Sequence, residues 1–153
     1  MPEPATAAAA RPAAVPAALA WRLLAMLYDA IPLLPIALLV SAVFLALHGG
    51  TPVREPAWVF VQAVALWAAF GAYFVVSWRR GGQTMGMRPW RLRVVAASGE
   101  PATQVAPLWT RYAVATLSLA LAGLGFAWSL VDRERRTWHD LASGTRLVRA
   151  AHR

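Results

Sequence analysis

The chain has 153 residues, of which 59% are hydrophobic and only 14% charged, whereas a soluble domain has roughly 25% charged residues. Its formal net charge is +8, and all 15 of its basic residues are arginine. It contains no cysteine, which excludes disulfides, thiolate metal sites and a thiol nucleophile. The arginines cluster at the ends of apolar runs, which indicates membrane topology and contact with anionic lipid headgroups, with no nucleic-acid partner. The length allows one domain, and the apolar excess predicts a membrane protein.

The chain begins with a tail rich in alanine and proline. Residues 1–20 are of low complexity and can bury little surface, so we predict that they are disordered. An apolar segment follows at about residues 23–47, which exceeds the ~20 residues needed to cross a hydrocarbon core. Asp29, Pro32 and Pro35 interrupt it, and the prolines favour a kink. This segment is the first predicted transmembrane helix.

The second apolar segment, at about residues 57–78, is the cleanest transmembrane helix in the sequence. Trp58 and Trp78 stand at its two ends, where amphipathic rings prefer the membrane interface. A polar loop follows, in which residues 92–95 have strand character. A third apolar stretch covers about residues 105–131. The sequence therefore predicts an all-α polytopic membrane protein with three hydrophobic helical segments and a small cytoplasmic β element.

The number of arginines in each loop predicts the orientation of the first two segments, but it gives a contradictory result for the third. Two arginines precede the first segment and five follow the second, whereas the loop between the segments holds only Arg54. Positively charged loops stay inside, so we predict a cytoplasmic N-terminus. Three straight crossings would place the arginine-rich C-terminal tail outside, against the same rule.

Two resolutions of this conflict stay open. The third stretch either crosses once and violates the rule, or it turns back near residues 123–125. We expect one full crossing, because a plain span is the commoner structure. The second arrangement would let residues 146–148 pair with residues 92–95 in a small sheet.

Asp29 is the leading candidate for a functional side chain, because it falls inside an apolar segment. Arg22 lies seven residues earlier, so both side chains share one helix face and are separated by a rise of about 10 Å. A carboxylate at this depth costs roughly 2.5–3.5 kcal/mol and must be protonated, paired or in contact with water. Asp29 is therefore either a proton or ion site, or half of a structural pair with an arginine that locks the helices together.

The remaining polar residues give no sign of catalysis. His139 and Asp140 are adjacent, but a His-Asp pair without a second His or Cys nearby has no recognised ligand spacing. We expect this pair to cap and orient the chain near the membrane surface. The sequence has no Ser-His-Asp pattern, Gly-rich phosphate loop or paired-carboxylate site. We therefore predict no enzymatic activity, no metal and no cofactor.

Four blocks of sequence stand in a distinctive order along the chain. The first is Arg22 followed by Asp29. The second is a Gly-Gln-Thr-x-Gly loop that leads to a Leu-Arg-Val-Val strand, and its loop residues are Gly82, Gln83, Thr84 and Gly86. The third is an Arg-Tyr pair that begins at Arg111, and the last is a basic run followed by Trp-His-Asp-x-x-x-Gly-Thr around Asp140. Together, these blocks resemble the RDD family of bacterial membrane proteins.

The resemblance divides the chain into the tail of residues 1–20, an RDD-like transmembrane domain at residues 21–149 and a C-terminal tail at residues 150–153. The chain departs from the family pattern at Met87, where a lysine is usual, and at Arg91, where a glycine is common. A headgroup-binding role of that lysine is therefore not expected here.

The resemblance implies a multi-pass protein of the inner (plasma) membrane whose activity is mostly unassigned. Arg22, Asp29 and Asp140 look like the Arg and the two Asp that name the family. A suggested sodium–proton exchange in relatives implies transport of a cation, a proton or a small ligand. Asp29 would then bind the proton or cation, Arg22 and Arg111 would act electrostatically on Asp29, and Asp140 would anchor a cytoplasmic gate.

Two functional hypotheses follow from the resemblance. Three segments are too few to enclose a pathway, so a transporter would have to be a homo-oligomer. The alternative is a non-transporting adaptor or assembly protein whose arginine-rich loops bind anionic lipid or an acidic protein partner.

Overall fold

Two long helices carry most of the apolar surface in the computed structural model, which describes residues 14–150. Helix α1 spans Leu19–Leu47 and helix α2 spans Pro56–Gly81. At 1.5 Å per residue they are about 44 Å and about 39 Å long, enough to cross a hydrocarbon core of about 30 Å. Their mean hydropathies of 2.6 and 2.0 qualify both as membrane spans. The two predicted transmembrane helices are confirmed.

The outer faces of these helices are apolar, as a lipid environment requires. Leu27, Ile31, Leu38 and Phe60 are each more than 60% exposed in the single copy. Apolar surface of this extent is stable only against lipid or against another chain. The first helix continues through its two prolines, and Gln62 donates a hydrogen bond from α2 to Ser41 of α1 over 3.4 Å.

The third apolar stretch is bent. Helix α3 spans Val105–Ala120, helix α4 spans Leu124–Ala127, and a 3₁₀ turn at Trp128–Leu130 follows. The two parts meet at an angle of 108°. The break falls where Ala122 and Gly123 take positive φ values of 54° and 79°, which end a right-handed helix. The stretch therefore does not form the straight crossing that we expected.

A small antiparallel sheet joins both ends of this bent stretch. Strand β1 is Ala14–Pro16, strand β2 is Leu92–Ala96, and strand β3 is Thr145–Ala150, in the order β1-β3-β2. Val94 lies opposite Leu147 in the register. Strand β2 precedes α3, and β3 follows the short helix α5 at Trp138–Ser143, so the chain returns to the end of the molecule from which α3 left. The pairing of residues 92–95 with residues 146–148 is confirmed.

The predicted disorder of the N-terminal tail is wrong from residue 14 onward. Strand β1 pairs with β3, and the backbone amide of Ala17 donates to the carbonyl of Leu147 over 3.0 Å. Backbone hydrogen bonding needs no bulky side chain, and Pro16 is tolerated because β1 is an edge strand. Strand β3 likewise extends to Ala150, the first residue of the predicted C-terminal tail. The rest of both tails, residues 1–13 and 151–153, lies outside the described residues.

The hydrophobic core lies where the sheet meets the helices. Leu92, Val94 and Leu147 of the sheet are at most 4% exposed and belong to one cluster with Trp78 of α2 and Leu108 of α3. This core fixes the sheet-proximal ends of α1, α2 and α3, and it is there that the buried charged side chains lie.

The absence of cysteine makes the return of the chain directly testable. We expect Ser98→Cys, in the turn after β2, and Ala142→Cys, in α5, to be labelled from the same side of the membrane. Thr51→Cys, in the loop between α1 and α2, should be labelled from the opposite side. An impermeant maleimide applied to intact cells and to inverted vesicles makes the measurement. Labelling of positions 98 and 142 from opposite sides would contradict the paired strands.

Candidate functional site

Asp140 is held in place by the start of helix α5. The Thr137 side chain caps this helix, accepting from the Asp140 amide over 3.4 Å, while Asp140 Oδ2 accepts from the Thr137 amide over 3.0 Å. This reciprocal arrangement is a capping box, which satisfies amides that a helix start leaves free. The predicted capping role of this segment is confirmed for Asp140.

The same carboxylate binds two arginines. Its Oδ2 accepts from Nη1 of Arg22 at 2.8 Å, and its Oδ1 accepts from Nη1 of Arg111 at 2.5 Å. All three side chains are almost fully buried, with 4% of Arg22 and 2% each of Arg111 and Asp140 exposed. Burial alone would raise the pKa of Asp140, but the charges of Arg111 and Arg22 outweigh it and hold this pKa below its ordinary value. Asp140 is therefore ionised at neutral pH and ties α1, α3 and α5 together.

Further hydrogen bonds connect this cluster to the rest of the fold. Arg22 donates from Nε to the Ala17 carbonyl over 3.2 Å and from Nη2 to the Arg135 carbonyl over 3.1 Å. Arg111 donates from Nη1 to the Thr145 hydroxyl over 2.7 Å, at the start of β3. One carboxylate and two guanidiniums thus fix the relative positions of three helices and the sheet.

Asp29 occupies a separate site and does not pair with Arg22. Its Oδ1 accepts from the Tyr73 hydroxyl and from the Gly86 amide, both over 2.9 Å, and its Oδ2 accepts from the Thr84 hydroxyl over 2.6 Å. The interpretation of Asp29 as the partner of an arginine is wrong, because Arg22 and Arg111 bind Asp140 instead. A rise of about 10 Å along α1 places Arg22 level with α5 and Asp29 level with the loop after α2.

The loop after α2 is built around Asp29. Gly82 ends α2 with a φ of 68°, and Gln83 donates to the Leu92 carbonyl over 2.6 Å, which fixes the loop to β2. Gly86 lies so close to α1 that a Cβ there would be 2.8 Å from Asp29 Cγ and would overlap the Ala25 carbonyl oxygen. The close approach that delivers the Gly86 amide to Asp29 therefore requires glycine.

A cavity of about 110 Å³ lies between the two sites. Asp29, Arg22 and Arg111 all contribute to its wall, and the remaining lining is mainly apolar. A mainly apolar cavity with a few charged groups is the usual form of a small-molecule site. The other lining residues include Met26, Phe74, Trp78, Met87, Tyr112, Leu119, Phe126, His139 and Leu147.

Several residues of these sites escaped the sequence analysis. Tyr73 and Thr145 carry no local signal, because only the fold brings them to a buried charge. Thr137 could have been found, since Thr-x-x-Asp before an apolar residue is the signature of a capping box. Trp78 packs inside the fold with 6% of its surface exposed, and the Arg111 guanidinium lies 5.4 Å from its ring centre. Within residues 14–150, no group of three or more His, Cys, Asp or Glu residues could hold a metal ion.

Removing the shared carboxylate should weaken the fold strongly. Asp140→Asn leaves two buried guanidiniums without a counter-charge, and we expect the free energy of unfolding to fall by about 3–5 kcal/mol. Thermal unfolding of the purified protein in detergent measures the change. Asp132→Asn is the matched control, because its ion pair with Arg136 is more exposed than the Asp140 cluster and should matter little. Equal melting of the two variants would show that the Asp140 cluster does not hold the helices.

Acid should destabilise the protein through His139. Burial, followed by the charge of Arg111, holds the pKa of His139 well below its ordinary value, although Asp140 acts in the opposite direction. Below about pH 6.5 the unfolded chain then binds a proton that the folded chain does not, so stability falls as the pH drops. We expect the melting temperature to fall less in His139→Gln than in the unaltered protein between about pH 7.5 and about pH 5.5. Identical pH dependence in both proteins would refute this assignment.

Comparison with known proteins identifies the family. The model of the RDD family matches residues 16–144 of the 153-residue chain. None of the curated proteins and none of the solved structures matches the chain. The matched range includes Arg22, Asp29, Arg111 and Asp140, the four charged residues of the two buried sites. The chain is therefore a multi-pass membrane protein that belongs to the RDD family.

Proposed function

We propose that the chain is the subunit of an oligomeric membrane transporter in which Asp29 binds a proton or a small cation. One observation carries this proposal. Asp29 lies within a membrane-spanning helix, is 2% exposed and borders a cavity, and its only partners within residues 14–150 are three neutral donors.

No side chain within residues 14–150 forms an ion pair with Asp29. A carboxylate at membrane depth must pair with a guanidinium or an ammonium, bind a metal cation or a proton, or contact water, and Asp29 is only 2% exposed. The buried arginines Arg22 and Arg111 are bound to Asp140, and the chain has no lysine. Arg88, whose charge acts on Tyr73, is exposed and forms no ion pair with Asp29 within residues 14–150. Neutral donors offset part of the lost hydration but cancel no charge. A proton or a cation is the remaining choice, and either can leave again, as transport requires.

The two buried acids would then have different tasks. The Asp140 cluster is a rigid frame, because both oxygens of its carboxylate are already bound to fixed cations. Asp29 is covered by the loop of Thr84 and Gly86, so a movement of this loop would release two of its three hydrogen bonds. This contrast supports a loadable group at Asp29 and an anchor at Asp140.

The exposed helix faces support assembly into an oligomer. Only 6% of the most apolar window of α1 and 11% of that of α2 are buried in a single copy. Two spans and one bent segment are too few to enclose a pathway. We therefore propose that further copies of the chain pack against α1 or α2.

The distribution of arginine supports a cytoplasmic N-terminus. The sheet brings β1, the loop after α2 and the C-terminal strand to one end of the molecule, whereas the opposite loop contains only Arg54. This arrangement removes the conflict between the third segment and the positive-inside rule. We propose that the sheet faces the cytoplasm and that the protein resides in the inner (plasma) membrane.

An adaptor role is the second candidate, and one surface favours it. A groove of about 840 Å³ beside β2 is lined by five exposed arginines, which would attract anionic lipid or an acidic protein. Purification in mild detergent tests this role. Recovery of a stoichiometric protein partner, together with no ion flux, would favour the adaptor over the transporter. The groove arginines are Arg79, Arg80, Arg88, Arg91 and Arg93.

Flux through proteoliposomes tests the transport proposal. We expect the purified protein to dissipate an imposed sodium or proton gradient, measured with an encapsulated pH dye. Asp29→Asn should reduce the flux to that of protein-free vesicles, because the charge that binds the ion is lost. Asp132→Asn, which removes a carboxylate outside the cavity, should retain it. Unchanged flux in Asp29→Asn, or none in correctly reconstituted protein, would overturn the proposal.

A further inference from the structure

The buried cluster around Asp140 carries an excess positive charge. Two guanidiniums share one carboxylate, which leaves a formal charge of +1 among side chains that are at most 4% exposed. Arg136, the charged neighbour on the adjoining loop, is already bound to Asp132 and Glu134. Asp29, the acid on the cavity wall, is about 10 Å along α1 from Arg22. An excess charge away from water is unfavourable unless an anion approaches it.

Arg111 has free donors, whereas Arg22 has nearly none. Arg22 uses all three of its nitrogens in hydrogen bonds to protein oxygens. Within residues 14–150, Arg111 donates only from Nη1, to Asp140 and Thr145. Its Nε and Nη2 carry three further N–H groups. This edge of a guanidinium is the fork that binds a carboxylate through two parallel hydrogen bonds.

Two more polar atoms beside Arg111 lack partners. Trp78 Nε1 and His139 Nδ1 are buried and have no hydrogen-bond partner in the part of the chain that the structure describes. Trp78 and His139 both line the cavity, together with Arg111. An indole nitrogen can only donate, so what satisfies Trp78 must be an acceptor. An unsatisfied buried donor costs about 1–3 kcal/mol, which a bound acceptor would recover.

We propose that the cavity binds a small organic carboxylate, with its charged end on the free edge of Arg111 and near Trp78 Nε1. The excess charge of +1 fits a monoanion. The apolar wall formed by Phe74, Tyr112 and Leu119 fits a short alkyl or aromatic body. A cavity of about 110 Å³ accommodates a small molecule.

This inference rests on the proposed transport site and names its second substrate. Asp29 borders the same cavity, so an ionised Asp29 and a bound carboxylate would repel each other in a medium of low dielectric constant. A proton or cation on Asp29 removes that repulsion. The carboxylate and the positive ion would therefore bind together, and the chain would carry both in the same direction.

Equilibrium binding to the purified protein in detergent tests the site without any flux. Radiolabelled benzoate and butyrate serve as probes, and benzamide serves as the neutral counterpart of benzoate. We expect saturable binding of both anions and none of benzamide. Trp78→Phe retains the ring but loses the free N–H, and it should weaken binding by about tenfold. Arg111→Lys loses the planar fork and should weaken binding at least as much.

Two further variants separate the possible outcomes. Trp128→Phe, at an exposed tryptophan outside the cavity, should bind like the unaltered protein. Asp29→Asn should abolish flux but bind benzoate at least as tightly, because one negative charge has left the cavity. Binding without any flux in the unaltered protein would keep this inference and overturn the transport proposal. Flux without benzoate binding, or equal binding by Trp78→Phe, would overturn this inference alone.

Discussion

The carboxylate of Asp140, shared by two buried guanidiniums, is the interaction on which the rest of the structure depends. Arg22 comes from the beginning of α1 and Arg111 from the first half of α3, so both helices must start at the same end of the molecule. Asp140 itself stands at the start of α5, which obliges the chain to return to that end after its third apolar stretch. Strand β3 then follows directly and pairs with β2. The bend after α3 and the pairing of β3 with β2 thus both bring Asp140 to the same end of the molecule as Arg22 and Arg111.

The two buried acids have opposite surroundings. Asp140 accepts hydrogen bonds from two arginines and a backbone amide, so it stays ionised. Asp29 receives two hydroxyls and an amide, which stabilise its oxygens but leave its charge uncompensated. Arg22 and Arg111, the partners of Asp140, share the wall of one cavity with Asp29. This combination of opposite charges within an apolar wall is the basis for proposing that the cavity takes a positive ion and an organic anion together.

Much of this arrangement was readable from local sequence. The four charged residues of the two buried sites were identified as candidates, as were the two long spans and the pairing of β2 with β3, whereas the bent form of the third stretch was weighed but not favoured. The pairing of the charges was not anticipated. Arg22 and Asp29 share a helix face, but they lie at different heights along α1. Arg22 is level with α5, whereas Asp29 is level with the loop that Gly86 brings against α1.

The sequence alone determined which segments enter lipid and which residues are charged within them, because the bilayer acts on each segment through its own length and hydropathy. It also indicated the strands at residues 92–95 and 146–148, though not β1, and it contains the Thr-x-x-Asp signature of the capping box. Only the tertiary structure decided which acid the arginines bind, which side the chain returns to and where donors are left free. These are decided by groups far apart in sequence, since a buried charge pairs with whatever the packed helices bring within hydrogen-bonding distance.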